Sequence, residues 1–164
     1  MVEIVELLAS PVHRYGGRPA DGPAPAPEGE LVDRIQLRAG LGIVGDRYFG
    51  RPAHREAGVT MIARESLPPG VGLAQVRRNI LLSGLAVDDL VGAVLVLDSG
   101  DGPVRLRLAR PANPCAWMDV VIGPGARAAL RGHGGVRCVP LNDGSLRVGP
   151  VAVTIEDVTI EEAD

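Results

Sequence analysis

Cys115, one of the two cysteines in the chain, lies in a local sequence that could support thiol chemistry. It follows Asn113-Pro114 and precedes Trp117, the only tryptophan. Proline fixes its own φ and keeps the preceding residue out of the helical region, so Asn113-Pro114 is expected to end a strand and to present Cys115 to whatever follows. Apolar residues recur at helical spacing from 116 to 130, with a break at Gly123-Pro124-Gly125, which predicts two short helices. A thiol at a helix N-terminus faces unpaired N–H groups that favour the reactive thiolate.

The other interpretation of Cys115 is structural. Free cysteine is among the residue types most often buried, where it behaves as a small hydrophobic side chain. The neighbouring prolines and the polar residues Asn113 and Asp119 favour an exposed, functional thiol instead. Cys138, the second cysteine, is expected in the core. A disulfide between the two stays an open alternative, although nothing in their spacing requires one.

A glycine-rich segment, residues 40–45, matches the dinucleotide-binding pattern G-x-G-x-x-G. That pattern must open a helix, whereas here it runs into Asp46-Arg47-Tyr48, the start of a turn sequence without an amphipathic period. Dinucleotide binding is therefore rejected. We interpret Gly45-Asp46 as a loop that brings backbone close to a ligand, and a plain connecting loop explains these residues equally well.

Arginines form a second set of candidates for ligand binding. Arg78 and Asn79 come just before an apolar strand, which favours a functional role, and forked guanidinium donors suit phosphate or a pterin-type heterocycle. Arg110 is a further candidate for such donation. Arg105 and Arg107 alternate with apolar residues, so a solvated strand face explains them.

The three histidines, His13, His54 and His133, are dispersed along the chain. Together with two cysteines they show no zinc-binding spacing, so each is expected to be structural. His54 is the best exception, because it lies close to the Gly45-Asp46 loop. No nucleophile elbow, serine triad or paired carboxylates are evident.

Composition excludes several classes of function. The net charge is −3, with 17 basic and 20 acidic residues, which gives no electrostatic case for a nucleic-acid partner. Every basic residue is an arginine, and a chain without lysine forms neither the Schiff base of pyridoxal phosphate nor a lysine contact in a phosphate loop. Aromatic residues make up 2% of the chain, which argues against stacking platforms and aromatic cages.

The cellular compartment follows from the cysteines and the hydropathy. Two cysteines and the lack of an apolar leader indicate a reduced, cytoplasmic compartment. No apolar run approaches the ~20 residues of a membrane span, so we expect a soluble protein without a membrane partner.

Glycine and proline, with 22 and 14 residues, punctuate many short apolar runs, which favours a mainly β chain. We expect a single domain over 1–164, a β-barrel or sandwich with a long Pro/Gly/Ala-rich loop at 10–30; closing a barrel would remove exposed strand edges. Strands are predicted at 2–8, 31–37, 59–63, 79–82 and 151–155, a hairpin joins 94–97 to 104–108, and a second hairpin joins 136–141 to 146–148 across Asn142-Asp143-Gly144.

A series of motifs, each weak alone, resembles the MOSC family in order and spacing over nearly the whole chain. This is the domain at the C-terminus of molybdenum cofactor sulfurases, which also occurs as small stand-alone bacterial proteins. The motifs are Ala9–His13, Gly42–Arg47, Val59–Ile62, Arg78–Ile80 with Ser83–Leu85, Asn113–Cys115 with Asp119, Leu130–Val136 and Asp143–Gly149.

The resemblance implies a MOSC β-barrel, similar to the barrel domain of pyruvate kinase, with a few short helices. It also implies that the protein binds the molybdenum cofactor (molybdopterin), with Cys115 as catalytic residue and as the metal ligand or sulfur carrier. Thiolate sulfur suits a metal of this kind. The remaining cofactor-binding candidates are Gly45, Asp46, Arg47, His54, Arg78, Asn79, Asn113 and Asp119.

Two enzymatic activities are implied for such a protein. One is molybdenum-dependent reduction of N-hydroxylated compounds, which needs an electron-donor protein; the other is sulfur transfer by a persulfide, received from a cysteine desulfurase. The pyridoxal-phosphate domain of the full-length sulfurases is absent, and that cofactor is not expected on this chain. The alternatives from another class are a non-catalytic cofactor carrier and a protein-interaction barrel.

Overall fold

The computed structural model describes residues 1–156, and residues 157–164 of the predicted domain lie outside the described part. Strands dominate and the helices are short, so the prediction of a mainly β fold is confirmed. The strands are β1 (Glu3–Leu8), β2 (Leu31–Val32), β3 (Arg34–Arg38), β4 (Gly42–Ile43), β5 (Val59–Ala63), β6 (Ile80–Ser83), β7 (Val94–Asp98), β8 (Pro103–Pro111), β9 (Val136–Pro140), β10 (Gly144–Arg147), β11 (Gly149–Pro150) and β12 (Ala152–Glu156). The helices are α1 (Leu73–Val76), α2 (Trp117–Val121) and α3 (Ala126–Ala129).

Most strands belong to one mixed sheet of nine strands with the order β11-β1-β6-β5-β9-β8-β7-β12, and β2 pairs with β1. Only the β5–β6 pair is parallel among the pairings within the described residues. The two ends of this path, β11 and β12, are consecutive in the chain and are joined by buried Val151 alone. The sheet therefore curls round until its ends meet at one residue, which makes the architecture barrel-like.

The second predicted hairpin is wrong. β9 pairs with β5 and β8, while β10 leaves the large sheet and pairs with β3 in a three-stranded sheet of order β10-β3-β4. The turn between them is bound to other strands: Asn142 Oδ1 accepts from the Arg105 N–H at 2.8 Å, and Asp143 Oδ1 accepts from the Ala39 N–H at 2.8 Å. These bonds direct the chain from one sheet to the other, which a local Asn-Asp-Gly signal does not encode.

Two apolar clusters fill the fold. The larger lies inside the curled sheet, where residues such as Met61 and Ile80 are fully buried. The smaller packs the helices onto the outer face, where Ile62 and Leu81 meet Trp117 of α2. β5 is thus buried on both faces, which explains why its sequence reads as a continuous apolar run.

The local predictions around α2 hold. The two short helices predicted between 116 and 130 are α2 and α3, separated by 123–125. The predicted β7–β8 hairpin also forms, with Leu95 opposite Leu106. No helix in residues 1–156 has both the length and the apolar character needed to cross a membrane.

Candidate functional site

A cavity of about 280 Å³ lies where the start of α2 meets the end of α1, and Cys115 lines it. Its lining residues come from six separate parts of the chain, so only the fold assembles it. Among the described residues, five arginines line the wall, together with His13: Arg14, Arg47, Arg77, Arg78 and Arg137. Within residues 1–156, no carboxylate lines it. The cavity is therefore suited to an anionic ligand next to a thiol.

The turn that carries Cys115 is held from both sides. β8 ends at Pro111, the Ala112 N–H donates to Gly135 O at 2.8 Å, and the Cys115 carbonyl accepts from the Met118 N–H at 3.0 Å as α2 begins. Gly134 packs so closely that an added Cβ would collide with the Ala112 carbonyl and lie 3.1 Å from Pro114 Cδ. Cys115 itself is exposed and is not in a disulfide, as the functional interpretation predicted.

Arg78 connects this turn to the strand beside it. Its guanidinium donates from Nε to Gly134 O at 3.0 Å, from Nη2 to Ala112 O at 3.3 Å and from Nη1 to Val76 O at 3.4 Å. Burial, followed by the charge of Arg137, lowers the pKa of Arg78 to about 10. The group is still charged at neutral pH, and among the described residues no carboxylate pairs with it. An anion in the cavity would relieve this unpaired charge.

Asp46 and Asn79 form a buried support behind the cavity wall. The Asn79 amide donates to Asp46 Oδ1 at 3.2 Å and to Leu8 O at 3.0 Å, and its Oδ1 accepts from the Thr60 N–H at 3.0 Å. Asp46 Oδ1 also accepts from the Arg47 guanidinium at 3.3 Å. Neither Asp46 nor Asn79 lines the cavity, so they hold Arg47 and the start of β6 in place.

A second buried pair holds the long loop against the site. Arg77 donates to Glu30 Oε1 at 2.6 Å and to Val12 O at 3.3 Å, and it has the left-handed φ of 57° that non-glycine residues rarely adopt. Burial raises the pKa of Glu30, but the hydrogen bonds from Arg77 and Ser10 outweigh it, and the net shift is downward. This pair fixes the segment that brings residues 13–15 into the cavity wall.

Aromatic side chains are concentrated here. Tyr15, Tyr48 and Trp117, three of the four Phe, Trp and Tyr residues in the chain, line the cavity. Tyr15 stacks on Trp117 with ring centroids 4.9 Å apart, and Tyr48 lies 4.4 Å from His54. The low aromatic content of the whole chain did not predict this local concentration of rings. The signal in the sequence was their position, since Tyr48 directly follows Asp46-Arg47 and Trp117 follows Cys115.

Only some of the remaining residues that the sequence suggested for cofactor binding lie in the Cys115 cavity. Asn113 and Arg47 line the cavity with Cys115. Gly45 lies in the adjoining turn and does not reach it, while His54 borders two hollows next to it. Asp119 points elsewhere, because its carboxylate accepts from the Arg127 N–H at 2.9 Å and so ties α2 to α3.

Two further predictions concern residues outside the site, namely the solvated face of β8 and the core position of Cys138. Arg105 is exposed and Arg107 is half-buried, and neither lines the Cys115 cavity. Cys138 is fully buried, and this burial raises the pKa of its thiol. The two cysteines thus differ completely in access to solvent.

Two of the larger hollows in the described part of the chain carry less chemistry. One of about 560 Å³ is lined by acidic residues, including Glu65 and Asp88, whose carboxylates accept from backbone N–H groups. Another, of about 650 Å³, is an apolar groove between the loop at 66–71 and α3. Neither contains a thiol, so the Cys115 cavity is the better candidate for the functional site.

A metal in the Cys115 cavity would need ligands from outside the chain. Within residues 1–156 no group of three or more His, Cys, Asp and Glu side chains is arranged to hold a metal ion. One cysteine sulfur next to several guanidiniums suits another kind of site. There the metal is bound within an anionic cofactor, the guanidiniums bind the cofactor, and the protein adds a single sulfur ligand.

Comparisons with known proteins define the class of fold. No family model matches the sequence, and no curated protein matches it either. Solved structures do match: the YUAD protein from Bacillus subtilis is 16% identical, with a TM-score of 0.68 over 97% of this chain and 98% of that protein.

Two YiiM proteins are also similar in structure. YiiM from Escherichia coli is 18% identical with a TM-score of 0.57, over 99% of this chain and 75% of that one, and YiiM from Geobacillus stearothermophilus is 16% identical with a TM-score of 0.57, over 94% and 75%. YiiM proteins are MOSC-domain proteins, so the fold is MOSC-like. At these identities the likeness concerns the fold alone.

Proposed function

We propose that this protein binds the molybdenum cofactor in the Cys115 cavity and uses the Cys115 thiolate as a molybdenum ligand or as a persulfide carrier. The observation that carries the proposal is the shared cavity: an exposed thiol faces guanidiniums, and the wall has no carboxylate from the residues that the structure describes. The MOSC-like fold agrees with it.

The residues present fit such a cofactor. A thiolate suits molybdenum, forked guanidiniums suit a phosphate, and the backbone and amide groups around Asn113 suit the polar edge of a pterin. Among the cavity arginines, Arg47 and Arg77 are paired with Asp46 and Glu30. Arg14, Arg78 and Arg137 form no ion pair within the described residues, and they would bind the cofactor's charge.

The cofactor, when bound, supplies a two-electron redox couple. This suits the reduction of an N-hydroxylated compound to the parent base and water, with two electrons from a donor protein and two protons. In that reaction Cys115 adds one sulfur ligand, the arginines orient the anionic end of the cofactor, and stacked Tyr15 and Trp117 exclude water from one side.

The exposure of Cys115 also favours the sulfur-carrier role, since a partner protein can reach it. The Cys115 thiolate would attack the outer sulfur of a donor persulfide, the donor's cysteine thiolate would leave, and Cys115 would carry the extra sulfur. An acceptor nucleophile would then take that sulfur and release the thiolate. A cysteine desulfurase is the class of donor that this step needs.

Metal analysis of protein expressed in a host that makes the cofactor tests the proposal. We expect near-stoichiometric molybdenum in the wild type and in Cys138→Ala, which keeps the site cysteine, and loss of molybdenum in Cys115→Ser. If wild-type protein carries no molybdenum and gains no sulfur on Cys115 when mixed with a desulfurase and cysteine, the proposal is wrong. Turnover of an N-hydroxylated base with an electron donor then separates an enzyme from a carrier, since a carrier shows none.

A further inference from the structure

Arg110 and Arg137 stand directly opposite each other in the β8–β9 ladder because of a β-bulge. Leu108 pairs with Cys138, and the next pair is Arg110 with Arg137, so Ala109 is the extra residue. Leu108 faces the core, and regular alternation would turn Arg110 to the same side. The bulge instead rotates Arg110 outward beside Arg137, and bulges often re-aim a side chain next to a functional site.

Two like charges in direct cross-strand register repel each other. No ion pair compensates for either guanidinium among residues 1–156. Arg137 is half-buried, and burial together with the charge of Arg110 lowers its pKa. The fold thus maintains an unfavourable contact that the acidic residues in the described part of the chain do not relieve.

The same chain contains a second cross-strand arginine pair that is neutralised. Arg34 and Arg147 are opposite each other in the β3–β10 ladder, and Asp101 Oδ2 lies 3.7 Å from one and 3.1 Å from the other. In that pair, one carboxylate between the two guanidiniums cancels their repulsion. Between Arg110 and Arg137 no carboxylate of residues 1–156 takes this position, so an anion from outside the chain would neutralise the pair in the same way.

The two arginines border a hollow of about 340 Å³, which His54 and Asn113 also line; none of the described carboxylates lines it. Arg137 and Asn113 line the Cys115 cavity as well, so the hollow adjoins it. We infer that Arg110 and Arg137 form a second anion-binding site, which takes a phosphate or carboxylate group next to the Cys115 cavity. This site goes beyond the proposed function and does not depend on the identity of the cofactor.

Calorimetric titration with inorganic phosphate at low salt tests this site. Arg110→Gln is expected to weaken binding at one site by about tenfold or more, because one arm of the guanidinium pair is lost. Arg34→Gln is the matched control: it removes the same charge from the other cross-strand pair and is expected to change the affinity by less than about twofold. Equal losses in both variants, or none in Arg110→Gln, would overturn the inference.

Thermal unfolding with and without phosphate separates anion binding by Arg110 from a purely structural role. Without phosphate, Arg110→Gln is expected to unfold at a higher temperature than the wild type, since the repulsion is gone. With saturating phosphate the order is expected to reverse, because only the wild type gains the full binding energy at this site. A variant that is less stable than the wild type without phosphate would assign Arg110 a structural role and contradict the inference.

The anion could belong to the ligand in the Cys115 cavity or to a second molecule. Inorganic triphosphate distinguishes these sources when Arg14→Gln is compared with Arg110→Gln, because Arg14 lines the Cys115 cavity and not the second hollow. Loss of affinity in both variants means that one ligand spans both sites, and loss in Arg110→Gln alone means a separate ligand. Triphosphate affinity that is unchanged in Arg110→Gln counts against the second site.

Discussion

The Asn79 side chain donates to the Asp46 carboxylate at 3.2 Å, and this buried bond joins two residues that are 33 positions apart in the sequence. Asp46 anchors the turn before Arg47 and Tyr48, and Asn79 anchors the chain after Arg77 and Arg78. The bond therefore couples the two segments that supply Arg47, Arg77 and Arg78, three of the five described arginines in the wall of the Cys115 cavity.

Replacing Asn79 is expected to destabilise the fold. Asn79→Ala leaves the Asp46 carboxylate, the Leu8 carbonyl and the Thr60 N–H with one partner fewer, and several buried polar groups cost roughly 2–4 kcal/mol together. Urea denaturation measures the free energy of unfolding. Asn113→Ala, at an exposed position, is the control and is expected to change it by less than about 0.5 kcal/mol. Similar free energies of unfolding for the two variants would show that Asn79 does not stabilise the buried support behind the cavity.

The Glu30–Arg77 pair predicts a pH-dependent stability. The folded-state pKa of Glu30 is lowered, so its contribution is fully present above the pKa of the unfolded chain and is lost as the pH falls through the folded-state pKa. Glu30→Gln leaves the Arg77 charge buried and is expected to cost roughly 3 kcal/mol at pH 7. Urea denaturation from pH 7 to 3 should show this difference shrink in acid. A difference that is constant with pH would contradict the assignment.

The two cysteines are expected to react very differently. Cys115 is exposed and should be alkylated by iodoacetamide in the native protein, whereas Cys138 is fully buried and should react only after denaturation. Mass spectrometry of peptides from native and urea-treated samples checks both. Native labelling of Cys138 at a rate similar to that of Cys115 would show that the core opens readily.

Anion binding in the Cys115 cavity is expected to strengthen in mild acid. Partial burial, with the charges of Arg47 and Arg77, lowers the pKa of His13 from its ordinary value, so His13 gains its positive charge only as the pH falls below the usual range of a histidine. Sulfate is a suitable probe, because its charge is constant over this range. Sulfate affinity measured from pH 7.5 to 5 should rise in the wild type and stay nearly flat in His13→Gln. The same rise in both proteins would exclude His13 as the titrating group.

Several features of this protein were determined by the sequence alone because they depend on local backbone preferences. β8 ends at Pro111, just before Asn113-Pro114, and Cys115 is exposed in the turn that follows. The break at 123–125 separates two helices, and the alternation in β8 faces Arg105 outward. Each follows from the φ restriction of proline, the freedom of glycine or the period of a strand, which act within a few residues. The motif series likewise identified a MOSC-like fold without any match to a family model.

Only the tertiary structure decided which distant residues meet. It placed Asn79 behind the cavity rather than in it, paired β10 with β3, and set Arg110 opposite Arg137 by one extra residue in β8. Strand pairing and register depend on which apolar faces can be buried together, so they follow from the packing of the whole core. Whether an arginine is paired or free is fixed by that register, and for this reason the charge pattern of the site was not readable from the chain.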